Sequence, residues 1–438
     1  MENTNLIYLL FILMSVITLI GIYIFNFDFL EPCNLFNIAM TTSMLFSILN
    51  VDRWDLFVGS YTCILVLIGM MSFFIGDIFC GYNCFKFYKQ IKPLDKDMLL
   101  NISKFKFLIL NILITVLLYF SFMEVYNLSL QVGNIDGICG MFKAVRYPLE
   151  RGEISFSRWQ NYRYYVVMIF AYISIYIFVS NFVLLNKVKI KYCYPVMVCF
   201  MFCILSTGRE SMLHLIIYTA LIWSLFVLKK NIYSNVAKRK IIKIGVFTLF
   251  LFLSLFLIIG ILTGKGLADN RSSFVILSHY LGLSFPAFDK FLMSIIVEER
   301  YIANHTLIGI YSNLNSIGFE LPKVKIFLPF VEFEGVNTNV YSAFMRYYWD
   351  FGIIGMGIVL FVFGTIFSYL YNYFKYVSNN LFAMLFYASF AGFIILSFHD
   401  EKFLLWIIST TTIYKILLFY LCYKFIKLDF CKLNKFNL

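Results

Sequence analysis

Apolar runs of about 20 residues alternate with short polar segments along most of this chain, and runs of that length predict membrane-spanning helices. Eleven runs are recognisable, of which the second is weakly apolar and the sixth and seventh are short. They cover residues 5–25, 34–49, 57–79, 106–126, 163–185, 192–207, 211–228, 242–262, 351–371, 381–398 and 403–423. The pattern predicts an all-α polytopic membrane protein with about 11 transmembrane helices.

Composition supports this fold class, because 61% of the 438 residues are hydrophobic and only 14% are charged. A soluble fold could not bury that much apolar surface. The net charge of +12 does not indicate nucleic-acid binding, since most Lys and Arg residues form short clusters between the runs. These clusters, within 86–106, 187–191, 229–243 and 424–435, all fall on one predicted side, which is therefore the cytoplasm. The first run lacks a basic flank and a cleavage site and is expected to be an uncleaved helix.

Two long segments then face outward, residues 127–162 and residues 263–350. Loops as long as the second are usually functional in a compact protein, and residues 272–297 within it predict one or two helices lying at the membrane interface. The predicted organisation comprises N-terminal transmembrane helices (1–126), an outer loop (127–162), transmembrane helices with an Arg209 hairpin (163–262), a large outer loop (263–350), and C-terminal transmembrane helices with a cytoplasmic tail (351–438).

Two outward segments place an arginine near the membrane surface. Arg209 and Glu210 lie where the two short runs meet, so Arg209 is predicted to point into a cavity near the outer leaflet. A structural pair between the two residues is the alternative. Arg271 ends the segment 263–271, whose two glycines could expose backbone N–H groups to an anion. A solvated turn with a snorkelling arginine explains that segment equally well.

Residues 334–357 join a polar, aromatic segment to an apolar helix. Arg346 lies one helical turn from Asp350, so their side chains share a face and could form a local ion pair. Guanidinium groups match phosphate oxygens bidentately and keep their charge. Arg346, together with Arg209 and Arg271, therefore predicts an anion site at membrane depth, where a lipid-linked diphosphate would place its phosphates.

Three further residues complete the candidate site. Asn339 and Tyr341 offer amide, hydroxyl and ring surfaces that suit a sugar, although an ordinary aromatic belt at the interface would also explain the rings. His305 could serve as an acid or base, and so could the turn 399–402 between the last two runs, although a lone loop histidine is more often a surface residue. The four histidines include no metal-like spacing, so neither a metal site nor a cofactor is predicted.

The segment Thr338-Asn-x-Tyr341, followed by Asp350-Phe-Gly-x-x-Gly355 at the start of an apolar helix, resembles the Wzy-type polymerases of oligosaccharide repeat units, which build O-antigen or capsule. Arg346 also has the Arg-x10-Gly spacing described for them. The segment 209–213 resembles the Arg-x3-Leu of the O-antigen ligases. Those ligases carry a histidine where this chain has Thr338 and Asn339, so the polymerases fit better.

The resemblance implies a GT-C-like fold in a bacterial inner membrane and a metal-independent glycosyl transfer on the periplasmic side. The implied partners are an oligosaccharide on undecaprenyl diphosphate, membrane lipid and a chain-length regulator protein, with no nucleic acid and no cofactor. A glycan would move from its undecaprenyl diphosphate to the non-reducing end of a lipid-linked repeat unit. The resemblance implies these roles: donor diphosphate binding (Arg209, Arg271), second phosphate or acceptor binding (Arg346), proton acceptance (Asp350 or His305) and sugar orientation (Asn339, Tyr341).

Three alternatives remain. A flippase for the lipid-linked unit would not need the segment 263–350 and would show two similar halves, which the sequence lacks. A membrane acyltransferase would need a deep catalytic histidine, and His214 is the one candidate, in surroundings typical of a helix core. An O-antigen ligase would act on the same lipid-linked substrate.

Overall fold

The computed structural model describes residues 2–86, 98–151, 153–206, 210–232, 234–262, 272–294, 303–322, 328–377, 381–407 and 410–427. About 80% of these residues are helical. The helices are α1 (Glu2–Ile24), α2 (Pro32–Ile48), α3 (Val51–Trp54), α4 (Ser60–Phe85), α5 (Lys104–Gln131), α6 (Gly137–Arg151), α7 (Arg158–Leu185), α8 (Cys193–Leu205), α9 (Glu210–Lys230), α10 (Asn235–Leu262), α11 (Ser273–Gly282), α12 (Ser284–Met293), α13 (Ile308–Ser316), α14 (Ala343–Asn372), α15 (Leu381–Leu396), α16 (Phe403–Ile407) and α17 (Thr410–Lys427). Two short antiparallel strands, β1 (Val331–Phe333) and β2 (Val336–Thr338), form a hairpin.

Each of the predicted apolar runs overlaps a helix, and the last one is divided between α16 and α17. Six helices in the described part of the chain are long and apolar enough to cross a membrane: α1, α4, α5, α7, α9 and α14. Two shorter apolar segments, Ile190–Leu205 and Ala383–Leu396, accompany them. The protein is therefore an all-α polytopic membrane protein.

The chain forms two compact units. The first unit comprises Met1–Lys92, Arg271–Ser378 and Phe390–Ile413, and the second comprises Pro93–Asn270, Asn379–Ser389 and Tyr414–Leu438. The most buried helix of the second unit is α7, where the ring of Tyr172 stacks on that of Tyr218 from α9 at 3.9 Å. The candidate residues that the structure describes all lie in the first unit.

Helices α4 and α14 approach each other closely in the first unit. A Cβ at Gly76 would lie 2.2 Å from the carbonyl oxygen of Phe361, and one at Gly364 would lie 2.3 Å from that of Phe73. Small residues at such crossings let two membrane helices pack backbone to backbone. This contact fixes α14, whose two ends carry buried charged residues.

Helix α14 is irregular at two points. Gly352 has φ 66° and ψ −171°, which interrupts the helix with a kink in a region of backbone space that is essentially restricted to glycine. At the other end the helix continues as a π-helical turn, Tyr373–Val377, a feature that is frequent at functional sites. The kink lies next to Asp350.

The segment 263–350 contains helices and the hairpin within its described part. The predicted interfacial segment 272–297 forms two helices, α11 and α12, within its described part. Asp289 on α12 accepts hydrogen bonds from Gly59 N (2.8 Å) and the Thr62 hydroxyl at the start of α4. The carbonyl of Glu332 in the hairpin accepts a bond from Lys290. These contacts attach α12 to the start of α4 and to the hairpin that precedes α14.

Candidate functional site

Arg346 lies in the first turn of α14 and is 1% exposed. Its Nε donates to Asp400 Oδ1 at 2.9 Å, and its Nη1 donates to the carbonyl oxygen of His305 at 3.1 Å. Ala343 N also donates to the carbonyl of Ser397 at 2.8 Å, which holds the helix start against the 397–402 turn. One guanidinium therefore joins three segments that are far apart in the sequence.

Asp350 lies one turn further along α14. Its carboxylate accepts the backbone N–H groups of His305 (3.1 Å) and Thr306 (2.7 Å) and the hydroxyl of Thr306 (2.7 Å). Bonds from N–H groups to a carboxylate are about twice as strong as neutral ones. The shared face predicted for Arg346 and Asp350 is present, and both residues use it to hold the segment 303–306.

His305 is held between these two residues and an aromatic ring. Its imidazole stacks on the indole of Trp349 with 3.7 Å between ring centroids and 20° between planes. Phe291 packs against the same indole at 4.6 Å. The Nδ1 atom of His305 is buried and has no hydrogen-bond partner. The ring is therefore held in one orientation, and one of its nitrogens has a hydrogen-bonding capacity that no described residue uses.

Burial lowers the pKa of His305 to about 4, and the positive charge of Arg346 adds to this effect. The imidazole is consequently neutral at physiological pH. A neutral imidazole can accept a proton or a hydrogen bond from a hydroxyl group.

The turn 399–402 supplies the carboxylates that face α14. Lys402 Nζ lies 3.6 Å from Asp400 Oδ2. Burial alone would raise the pKa of Asp400, but Lys402 and Arg346 outweigh it and the pKa is lowered. Glu401 accepts the Tyr347 hydroxyl at 2.7 Å and the N–H groups of the first turn of α16. We call Arg346, Asp350, His305, Asp400 and Thr306 the Arg346 cluster.

The remaining predicted residues are placed differently. Tyr341 is fully buried, and its hydroxyl donates to the carbonyl of Pro329 at 2.8 Å. Asn339 is half-buried and follows β2. Sugar contacts by these two residues stay predictions, and the buried ring of Tyr341 supports packing rather than contact. Arg209 and Arg271 lie outside the described residues.

Sequence reasoning missed the partners within the cluster. The sequence predicts a possible acid or base in the turn 399–402, but it does not predict that Asp400 or Thr306 contacts α14. No local spacing connects Asp400 or Thr306 with α14, because the contacts span 54 and 44 residues. Among residues with described positions, no group of three or more His, Cys, Asp or Glu is arranged to hold a metal ion.

Fold and site together define a polytopic membrane protein with a buried arginine–carboxylate–histidine cluster where residues 303–306 meet α14. No family model matches the chain, and no solved structure matches it. A curated Shigella dysenteriae protein described as "O-antigen polymerase" is 26% identical over 226 residues. The match covers 50% of this chain and 53% of that protein, so it spans about half the length of each.

Proposed function

We propose that this protein is a polymerase of lipid-linked oligosaccharide repeat units, with about 11 membrane spans in a bacterial inner membrane and the Arg346 cluster on the periplasmic side. The observation that carries the proposal is the fixed, neutral imidazole of His305, which has an unpartnered nitrogen. The similarity to an O-antigen polymerase supports the same role in polysaccharide biosynthesis.

In the proposed reaction, an acceptor hydroxyl attacks the anomeric carbon of the donor glycan. The new glycosidic bond forms as the bond from that carbon to the diphosphate of undecaprenyl diphosphate breaks. The hydroxyl proton passes to His305 Nδ1, and undecaprenyl diphosphate leaves as an anion. Arg209 and Arg271 would stabilise the charge that develops on it, as preorganised cations do in other transfers.

Of the two proton acceptors that the sequence indicates, His305 is favoured. Both carboxylate oxygens of Asp350 already accept bonds from residues 305 and 306. Asp350 therefore acts by holding the histidine. Arg346 serves the same end through the His305 carbonyl, because its Nε and Nη1 already donate to Asp400 and to that carbonyl.

The test replaces the native gene with a His305→Phe variant, which keeps a ring against Trp349 but has no nitrogen. Loss of a general base costs about 100- to 10,000-fold in rate, so the long polysaccharide ladder should disappear from gels and leave single repeats on the finished lipid. His279→Phe, a matched imidazole loss outside the cluster, should keep the ladder. A full ladder from His305→Phe at normal protein level overturns the proposal.

The same gel separates a polymerase from both alternatives, and the membrane side on which lipid-linked units accumulate then separates a ligase from a flippase. A ligase would leave lipid with no repeat at all when His305 is replaced. A flippase would leave the repeat units facing the cytoplasm.

A further inference from the structure

Three carboxylates and one lysine are buried together where α14 ends. Asp28 and Glu31 come from the connection between α1 and α2, and each is 2% exposed. Asp77 on α4 is 0% exposed, and Lys375 comes from the π-helical turn after α14. We call these four residues the inner carboxylate cluster.

Two of the carboxylates have firm partners. Lys375 Nζ lies 2.8 Å from Asp28 Oδ2 and 3.6 Å from Glu31 Oε2. The Tyr371 hydroxyl donates to Asp28 Oδ2 at 2.7 Å, and Asn372 Nδ2 donates to Glu31 Oε1 at 3.0 Å. The last turn of α14 is thus bound to the α1–α2 connection.

Asp77 is different. Its Oδ2 accepts the Cys33 N–H at 2.8 Å, but its Oδ1 is buried without a hydrogen-bond partner. The side-chain oxygens of Asn34 and Asn37, both 0% exposed, also lack partners. Asn34 belongs to the same region, because its Nδ2 donates to the Asp28 carbonyl at 2.7 Å. Three buried oxygen atoms here therefore lack a hydrogen-bond donor. Buried acceptors without donors are costly.

The region is also short of positive charge. Among residues with described positions, three carboxylates face the single cation Lys375, so the formal charge of the cluster is −2. The other titratable groups nearby, the Cys33 and Cys80 thiols and the Tyr371 hydroxyl, add no positive charge. Burial raises the pKa of Glu31; Lys375 opposes this, and Asp77 and Asp28 reinforce it. Buried groups in such surroundings take up protons rather than remain charged.

We propose that the inner carboxylate cluster is a proton-binding site, in which Asp77 or Glu31 stays protonated at neutral pH. A proton on Asp77 Oδ1 turns an unpartnered acceptor into a donor, in a region where two amide oxygens need one. When the proton is released, an excess of negative charge is buried where α14 packs against α4 and the α1–α2 connection. This inference does not depend on the proposed enzyme activity.

The direction of the pH effect follows from proton binding. A carboxyl group that holds its proton more tightly when folded gives a native state that binds more protons than the unfolded one. Stability is then highest at low pH and falls as pH rises towards the release of that proton.

The test is the thermal midpoint of the full chain in detergent between pH 5.5 and 9. Asp77→Asn keeps an acceptor for Cys33 N–H but removes a negative charge. Glu31→Gln likewise removes a negative charge and keeps an acceptor for Asn372. Each variant should melt several degrees above wild type at pH 9, with a gap that shrinks towards pH 5.5. Glu334→Gln, an exposed carboxylate loss, should follow wild type.

The proposal fails if Asp77→Asn and Glu31→Gln both follow Glu334→Gln at every pH, or if neither variant folds. A rise in midpoint when sodium replaces choline at constant pH, absent in Asp77→Asn, would also contradict it, because an alkali-metal ion would then supply the missing charge.

Discussion

Helix α14 carries a buried charged cluster at each end, and the two clusters differ in which atoms lack partners. In the Arg346 cluster, Asp350 receives three donor groups and Asp400 faces both Arg346 and Lys402. The unpartnered atom there is the Nδ1 nitrogen of His305. In the inner carboxylate cluster the unpartnered atom is a carboxylate oxygen of Asp77.

The two clusters therefore use buried charge in different ways. Where every carboxylate is satisfied, the network holds its parts in one geometry, and the remaining lone pair on a neutral ring is suited to a substrate hydroxyl. Where carboxylates outnumber cations, the network needs something from outside the chain, and the smallest candidate is a proton. Under the two proposals, the same helix combines a fixed reaction centre with a site whose charge depends on pH.

The largest effect is expected from Arg346→Ala. Removal of one partner from a buried ion pair costs about 3–5 kcal/mol. Asp400 would keep only Lys402, at 3.6 Å, so little folded protein and no ladder should remain. The double variant Arg346→Met with Asp400→Asn removes both charges and should restore much of the thermal midpoint. Equal midpoints for the single and double variants would contradict this account of the pair.

Lys375→Gln should cost less, at most about 3 kcal/mol, because the inner carboxyl groups can take up protons when their cation is lost. The ladder per amount of folded protein should stay close to that of wild type. Membrane protein levels and gels of the same cells measure both quantities. A folded Lys375→Gln protein without any ladder would show that the two ends of α14 do not have separate roles.

Gly352→Ala tests the kink that lies beside the Arg346 cluster. Its backbone conformation is one that side chains rarely adopt, so the substitution should cost about 1–3 kcal/mol and weaken the ladder. Gly81→Ala in α4 is the matched control, since open space surrounds that position and alanine favours a helix interior by about 0.5–1 kcal/mol. Similar thermal midpoints for the two variants would contradict the role of the kink.

The smallest effect concerns the acid side of the stability profile. The pKa of His305 is lowered to about 4, whereas that of an unfolded histidine is about 6.5. The unfolded chain therefore binds the proton first, so the contribution of His305 to stability is lost as pH falls from about 6.5 towards 4. His305→Phe should lose less over the same range in thermal melts, and a parallel loss would argue against the buried neutral ring.

The helices were predictable from the sequence because apolar runs report burial in lipid directly. The shared face of Arg346 and Asp350 followed from helical spacing. Their partners did not, since Asp400 and Thr306 reach α14 only through tertiary packing. Asp77 could have been noticed as a charged residue inside an apolar run, which is costly and therefore informative.

The central claim is that the Arg346 cluster is the reaction centre, and it is tested most directly with purified protein in vesicles that contain lipid-linked repeat units. The rate of ladder growth is measured for wild type and for the Arg346→Met, Asp400→Asn double variant, once melting curves show that both are folded. The account predicts no ladder from the double variant. A ladder that grows at the wild-type rate would contradict it.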